Sequence, residues 1–182
     1  IVTYTSNLIE YLGRKNVDAI LYVPRTFNAK QFDNSNVTVK KVPVKRFFGP
    51  IHRFIWEQTF WRKIIKDSGA DILYSSANYG VLYPPIKQVL LVQGEIYLNP
   101  VYREKVLPKL PISERVSAFL RRNLMLLSAR HSIATIFPSK VALQAALDYG
   151  PDIASTSFVN YLGVGDRFTV TDKQRFWRQD GH

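Results

Sequence analysis

Along this chain, short apolar runs alternate with segments whose apolar residues recur every three to four positions. The runs Asp18–Val23, Asp71–Ser75, Lys87–Val92, Ser132–Phe137 and Ser157–Tyr161 read as strands, and Val89-Leu90-Leu91-Val92, with no polar alternation, as one buried on both faces. Val37–Val42 alternates apolar and polar residues before Pro43, which predicts a strand nearer a sheet edge. Helical spacing of Leu8, Ile9 and Leu12 predicts a helix over Thr3–Lys15, with Gly13 near its end. Gly49-Pro50 opens a second helix, Pro50 suiting the first turn where an N–H is not needed. Its apolar residues cover two faces: Ile51, Phe54, Ile55, Trp61 and Ile65 with Gln58 on one, Trp56, Phe60 and Ile64 on the other. Asp67-Ser68-Gly69 ends it.

A third helix over Ile112–Arg130 carries Ile112, Val116, Phe119, Leu120, Leu124 and Leu127 as its apolar face, with Arg115, Arg121, Arg122 and Arg130 on the other side. Ser139 stands at the N-cap position of a fourth helix, Lys140–Tyr149, and Gly150 at its C′ position before Pro151. Between Gly94 and Pro111 the pattern predicts a long loop holding Tyr97, Tyr102, Arg103, Lys105 and Lys109. Strands alternating with helices predict an α/β fold: a Rossmann-like, doubly wound parallel sheet with helices on both faces. Such a sheet starts from a central strand, yet this chain starts in a helix, so the first strand is expected to precede Ile1.

Ligands in open parallel sheets collect at the carboxyl ends of strands. Gln93-Gly94-Glu95 falls at such an end and admits two readings, a candidate site or a solvated turn. Composition narrows the classes. The 182 residues, 46% hydrophobic and 13% aromatic, fit one folded domain. No run is long enough to span a membrane, and no secretory signal is visible. With no cysteine there is no disulfide and no thiolate metal site, and His52, His131 and His182 lack metal-ligand spacing. The net charge of +11 predicts attraction to phosphates, acidic polymers or an anionic lipid surface. The opening at Ile1 and the polar tail Arg175–His182 are expected to be the cut edges of a longer protein.

The order of these motifs resembles the N-terminal domain of family 4 GT-B glycosyltransferases, the retaining, nucleotide-sugar-dependent class. Ile1–Leu12 is similar to that family's first helix. Asp71–Ser75 with Asn78 resembles its "Asp-hydrophobic-hydrophobic-His" strand and the following loop. Val89–Gly94 resembles the strand ending in His-Gly or His-Asp, and Ile136–Gly150 the Ser-capped helix ending Tyr-Gly. Val159–Phe168 is similar to the "Val-Ile-Pro-Asn-Gly-Val-Asp…Phe" segment leading into the second domain.

The resemblance implies a GT-B half-fold over residues 1–168, with 169–182 a linker toward an absent donor-binding domain and the Gly-rich loop lying upstream. It implies a nucleotide-sugar donor held by that second domain, no cofactor in this chain and no obligatory metal. A sugar or lipid-linked acceptor would bind here. Gln93 stands where the family often has His; it can position a hydroxyl but cannot shuttle a proton. Glu95 would orient the acceptor or act as base. Asn78, Gly94, Tyr97, Tyr102, Arg103 and Ser139 are candidate acceptor contacts, with Gly163 a hinge at the interdomain crossing. Arg53, Trp56, Trp61, Lys63, Arg121 and Arg122 are candidates for peripheral contact with an anionic leaflet on the cytoplasmic side, packing with solvated basic faces being the other reading. The whole would make a surface polysaccharide or glycolipid. A different class stays open: a basic Rossmann-like module contacting nucleic acid or membrane without catalysis, for which charge speaks but no nucleic-acid motif does.

Overall fold

Strands joined through helices or long connections pair in parallel, because such crossovers return the chain to the same end of the sheet. The structure is a computed structural model and describes residues 2–28, 32, 36–43, 50–76, 78–94 and 96–161. Strand β1 (Ala19–Pro24) pairs parallel with β2 (Val37–Val42), Ala19 opposite Val37 and Pro24 opposite Val42. A second sheet holds β3 (Ile72–Ser75), β4 (Lys87–Leu91), β5 (Ala134–Phe137) and β6 (Ser157–Val159), in that order and all parallel. Helices α1 (Val2–Arg14), α2 (Pro50–Lys66), α3 (Ile112–Arg130) and α4 (Lys140–Leu147) flank the strands. The architecture is therefore mixed α/β with parallel sheets, compatible with a Rossmann-like fold. Among the described residues no helix is long and apolar enough to cross a membrane.

Side chains alternate across a strand, and this decides which face each helix covers. Ala19 and Leu21 pack with Ile9 of α1, whereas Tyr22 meets Trp61 of α2 edge to face, ring centres 5.5 Å apart. The same division recurs on β3. The Tyr74 hydroxyl lies 2.6 Å from that of Tyr4 in α1, while Ser75 bonds Gln88 on the opposite face, beside the backbone that Gln58 of α2 holds. Thus α1 and α2 stand on opposite faces. Leu90 shares the Gln88 face and forms the main core with Val92, Met125, Phe137, Ala146 and Ile153 beneath α3 and α4.

Several expectations change. The segment after Gly94 is largely helical: a π-helix over Tyr102–Val106 followed by a 3-10 turn over Leu107–Lys109. Asn99 starts it by accepting the amides of Val101 (2.8 Å) and Tyr102 (3.2 Å) on its side-chain oxygen, with Pro100 in the first turn. Gly150 is not left-handed; its φ is −148°, and an added Cβ would sit 3.3 Å from Cδ2 of Leu126, so its smallness serves helix packing. Left-handed turns follow α1 at Asn16 (φ 53°) and α2 at Gly69 (φ 72°).

The largest change is the face of α3. Ala118, Met125, Leu126, Ser128 and Ala129 are buried, while of the expected face Leu124 and Leu127 are half-buried and Ile112, Val116, Phe119 and Leu120 are exposed. Small residues let the helix lie close to the sheet, and Ser128 avoids a desolvation cost by donating to the Leu124 carbonyl at 2.8 Å. Strands β5 and β6 and helix α4 are also shorter by about two residues than the pattern predicts, within the usual fraying of ends.

Candidate functional site

Where β4 ends, Val92 still donates to the Ile136 carbonyl of β5 at 2.9 Å. Beyond it the amides of Gln93 and Gly94 leave the sheet, and a polar backbone group there must find another partner. Asn78, on the loop after β3, supplies one: its Oδ1 accepts both amides at 2.8 Å. Gly94 suits this approach, since a Cβ at that position would stand 2.9 Å from Asn78 Nδ2 and press the clasping side chain aside. The result is a clasp joining the carboxyl ends of β3 and β4, with Gln93 half-buried upon it. Three residues expected at the site, Asn78, Gln93 and Gly94, are thus brought together. Glu95 and Gly163 lie outside the described residues, as do the side chain of Arg53 and the segment 169–182.

An aromatic and basic frame adjoins the clasp. Tyr79 follows Asn78 directly; burial pushes its hydroxyl pKa up, the Arg121 cation opposes that and Tyr97 adds to it, so at neutral pH the phenol keeps its proton. Arg121 donates to the Tyr97 hydroxyl at 2.8 Å and lies 5.5 Å from the ring centre. Tyr97 in turn meets Tyr102 edge to face at 6.1 Å. Arg103 donates to Glu104 (2.7 Å) and to the Tyr149 hydroxyl (2.8 Å), and these bonds, Glu104 first, raise its pKa further. Arg122 covers the Tyr149 ring at 4.1 Å, and its buried Nε has no hydrogen-bond partner. Such a frame can hold hydroxyls and anions; guanidinium groups over tyrosines keep their charge while presenting donors.

Ser139 stands at the end of β5, where its hydroxyl accepts the Ala142 amide at 3.1 Å and so caps α4. Trp56 stacks on Phe60 at 4.2 Å, Trp61 packs on Tyr22, and Lys63 is exposed in the last turns of α2. Among the described residues no three His, Asp or Glu side chains gather as a metal site would require.

Gln88 was not singled out by sequence reasoning. It is fully buried within β4, where Oε1 accepts from the Val81 amide (2.8 Å) and the Ser75 hydroxyl (3.2 Å). Its Nε2 donates to the Val81 carbonyl (3.3 Å) and to Ser132 Oγ (3.0 Å), so every hydrogen-bonding site of the amide is used. Gln58 of α2 adds bonds to the Gly80 carbonyl (3.3 Å) and the Leu82 amide (2.7 Å). Together the two glutamines fix the connection that presents Asn78. A polar residue in an apolar strand was the available signal. A Cβ on Gly80 would fall 2.4 Å from Gln88 Nε2, which explains that glycine too.

Comparison of the chain with family models, with curated proteins and with solved structures found no match.

Proposed function

We propose that this chain is the acceptor-binding domain of a retaining glycosyltransferase that uses a nucleotide-sugar, working on a glycan or lipid-linked acceptor. The observation that carries the reading is the Asn78 clasp on Gln93 and Gly94 at the carboxyl ends of adjacent parallel strands. In this reading the two sheets are parts of one doubly wound sheet, ordered β2, β1, a strand preceding α1, then β3 to β6. Right-handed crossovers support it. A strand between β1 and β3 leading through α1 to β1 puts α1 on one face, and the β2–α2–β3 crossover, running the other way, puts α2 on the opposite face. The contacts of Tyr74 with Tyr4 and of Tyr22 with Trp61 agree with that division. The clasp then lies next to the point where strand order reverses.

Retaining transfer, in which the departing phosphate takes the acceptor proton, asks this half for positioning. Gln93 and Asn78 hold acceptor hydroxyls, Tyr79 and Tyr97 line the floor, and Arg121 and Arg103 favour an acceptor bearing negative charge. Nucleotide-sugar contacts belong to the second domain. Calorimetry and amide NMR on this chain test the reading: a saccharide acceptor is expected to shift the Gln93 and Gly94 amides, and nucleotide-sugars to bind weakly or not at all. Tight nucleotide-sugar binding by this chain alone would overturn it. So would steeply salt-dependent RNA binding with no saccharide response, the signature of a basic binding module.

A further inference from the structure

The N-terminal half of α3 turns an apolar stripe away from the sheet. Ile112, Val116, Phe119 and Leu120 recur at i, i+4, i+7 and i+8 and are 76%, 51%, 55% and 50% exposed. By helical geometry they lie across the axis from Ala118, Met125 and Ala129, which the sheet side buries. Singly exposed apolar residues are ordinary; a continuous stripe on one helix marks an interaction surface. Val101 and Val106, on the segment that leads into α3, are exposed as well.

We propose that this stripe docks on an anionic lipid bilayer. Charge decides between possible coverings. From residue 101 to 122 the chain carries six Lys and Arg against two Glu, and the Arg103–Glu104 pair at 2.7 Å cancels one of each, which leaves five cations against Glu114. Arg115 is exposed, and the Arg122 guanidinium stands 5.4 Å from the Phe119 ring, beside the stripe itself, whereas Arg121 turns to the other side of the helix, where it donates to Tyr97. An apolar stripe with a cationic edge at Arg115 and Arg122 matches the boundary between acyl chains and phosphates: the stripe enters the first, and the guanidinium groups meet the second. A nucleic acid would use the cations and leave Ile112 and Val116 in water, while a protein partner would have to bring both an apolar groove and carboxylates. None of the four stripe residues belongs to the Asn78 clasp; Arg103 and Arg121 also serve the acceptor reading, but vesicle binding can fail while the saccharide response at Gln93 and Gly94 stands, and the reverse.

Co-sedimentation with vesicles tests it, using phosphatidylcholine alone and phosphatidylcholine containing phosphatidylglycerol. Binding is expected only with phosphatidylglycerol and should weaken as salt is raised. The double substitution Phe119→Ser, Leu120→Ser should lower the melting temperature by only a few degrees, because both side chains are already half exposed, yet weaken vesicle binding by at least about tenfold. Arg115→Gln, which removes one charge and leaves the four stripe side chains in place, should weaken it roughly fivefold. Equal binding to both vesicle types, or full binding by the double variant, would overturn the proposal. A concentration-dependent dimer in sedimentation equilibrium that the double variant abolishes would also overturn it, by making a second copy the occupant.

Discussion

The two sheets are built from similar sequence and buried to different depths. Ala19–Val23 is as apolar as Val89–Val92, yet Ala19, Ile20, Leu21 and Tyr22 are half-buried, whereas Leu90, Leu91 and Val92 are sealed from solvent. Strand β4 has partners on both edges and helices α3 and α4 packed over Leu90. Among the described residues β1 pairs only with β2, and its cluster of Ile9, Phe32 and Val37 is small. Apolarity therefore announces that a strand belongs inside, while neighbours on both edges and above decide how far inside it lies.

The sharpest test of this contrast compares truncations in the two cores. Leu90→Ala should destabilise by about 3–4 kcal/mol in urea unfolding, within the range for fully buried leucines. Val37→Ala should cost only about 1–2 kcal/mol, the value of the methyls removed. Equal losses would mean that the two sheets share one core. Next in size, Gln88→Leu should cost about 2–3 kcal/mol, because the Val81 amide loses its acceptor inside the four-stranded half. Asn78→Ala should cost about 1 kcal/mol and speed amide exchange at Gln93 and Gly94.

The smallest effect probes the link between the halves. Tyr74→Phe removes the hydrogen bond to Tyr4 and should cost no more than about 1 kcal/mol at neutral pH. Burial first, and then the Tyr4 hydroxyl, hold the Tyr74 pKa well above its usual value. A raised folded-state pKa gives stability that is complete below the unfolded value near 10 and is lost as pH climbs above it. The parent protein should therefore weaken above about pH 10 in a way that the phenylalanine variant does not share.

Much of this was legible in the sequence. The limits of α3, the Ser139 cap, Pro50 at the start of α2 and Gly69 beyond its end all follow local rules that need no tertiary knowledge. The buried face of α3 was legible only in part: Leu124 and Leu127 are half-buried as the pattern predicts, but Ile112, Val116, Phe119 and Leu120 are not. Ala118, Ser128 and Ala129 carry little apolar signal, and their value lies in how closely they let the helix approach, a property of the pair of surfaces. The helical turn after Asn99-Pro100 was present as a cap signal masked by the length of the segment. At the site, Asn78, Gln93 and Gly94 each stood out, but a hydrogen bond across fifteen residues depends on the strand register, which pattern alone does not supply.

In both sheets, neighbours in space are neighbours in sequence. Each new strand can therefore dock on the one formed just before it, and each step closes the loop of a single crossover, whose entropic cost rises only slowly with length. The order lowers the sequence separation of contacts for a parallel fold, a class otherwise slow to assemble. Folding can thus proceed as strand-by-strand growth from β3 to β6, with the buried amide of Gln88 fixing the register of β4 first through Ser75 and Val81 and then, once α3 is in place, through Ser132.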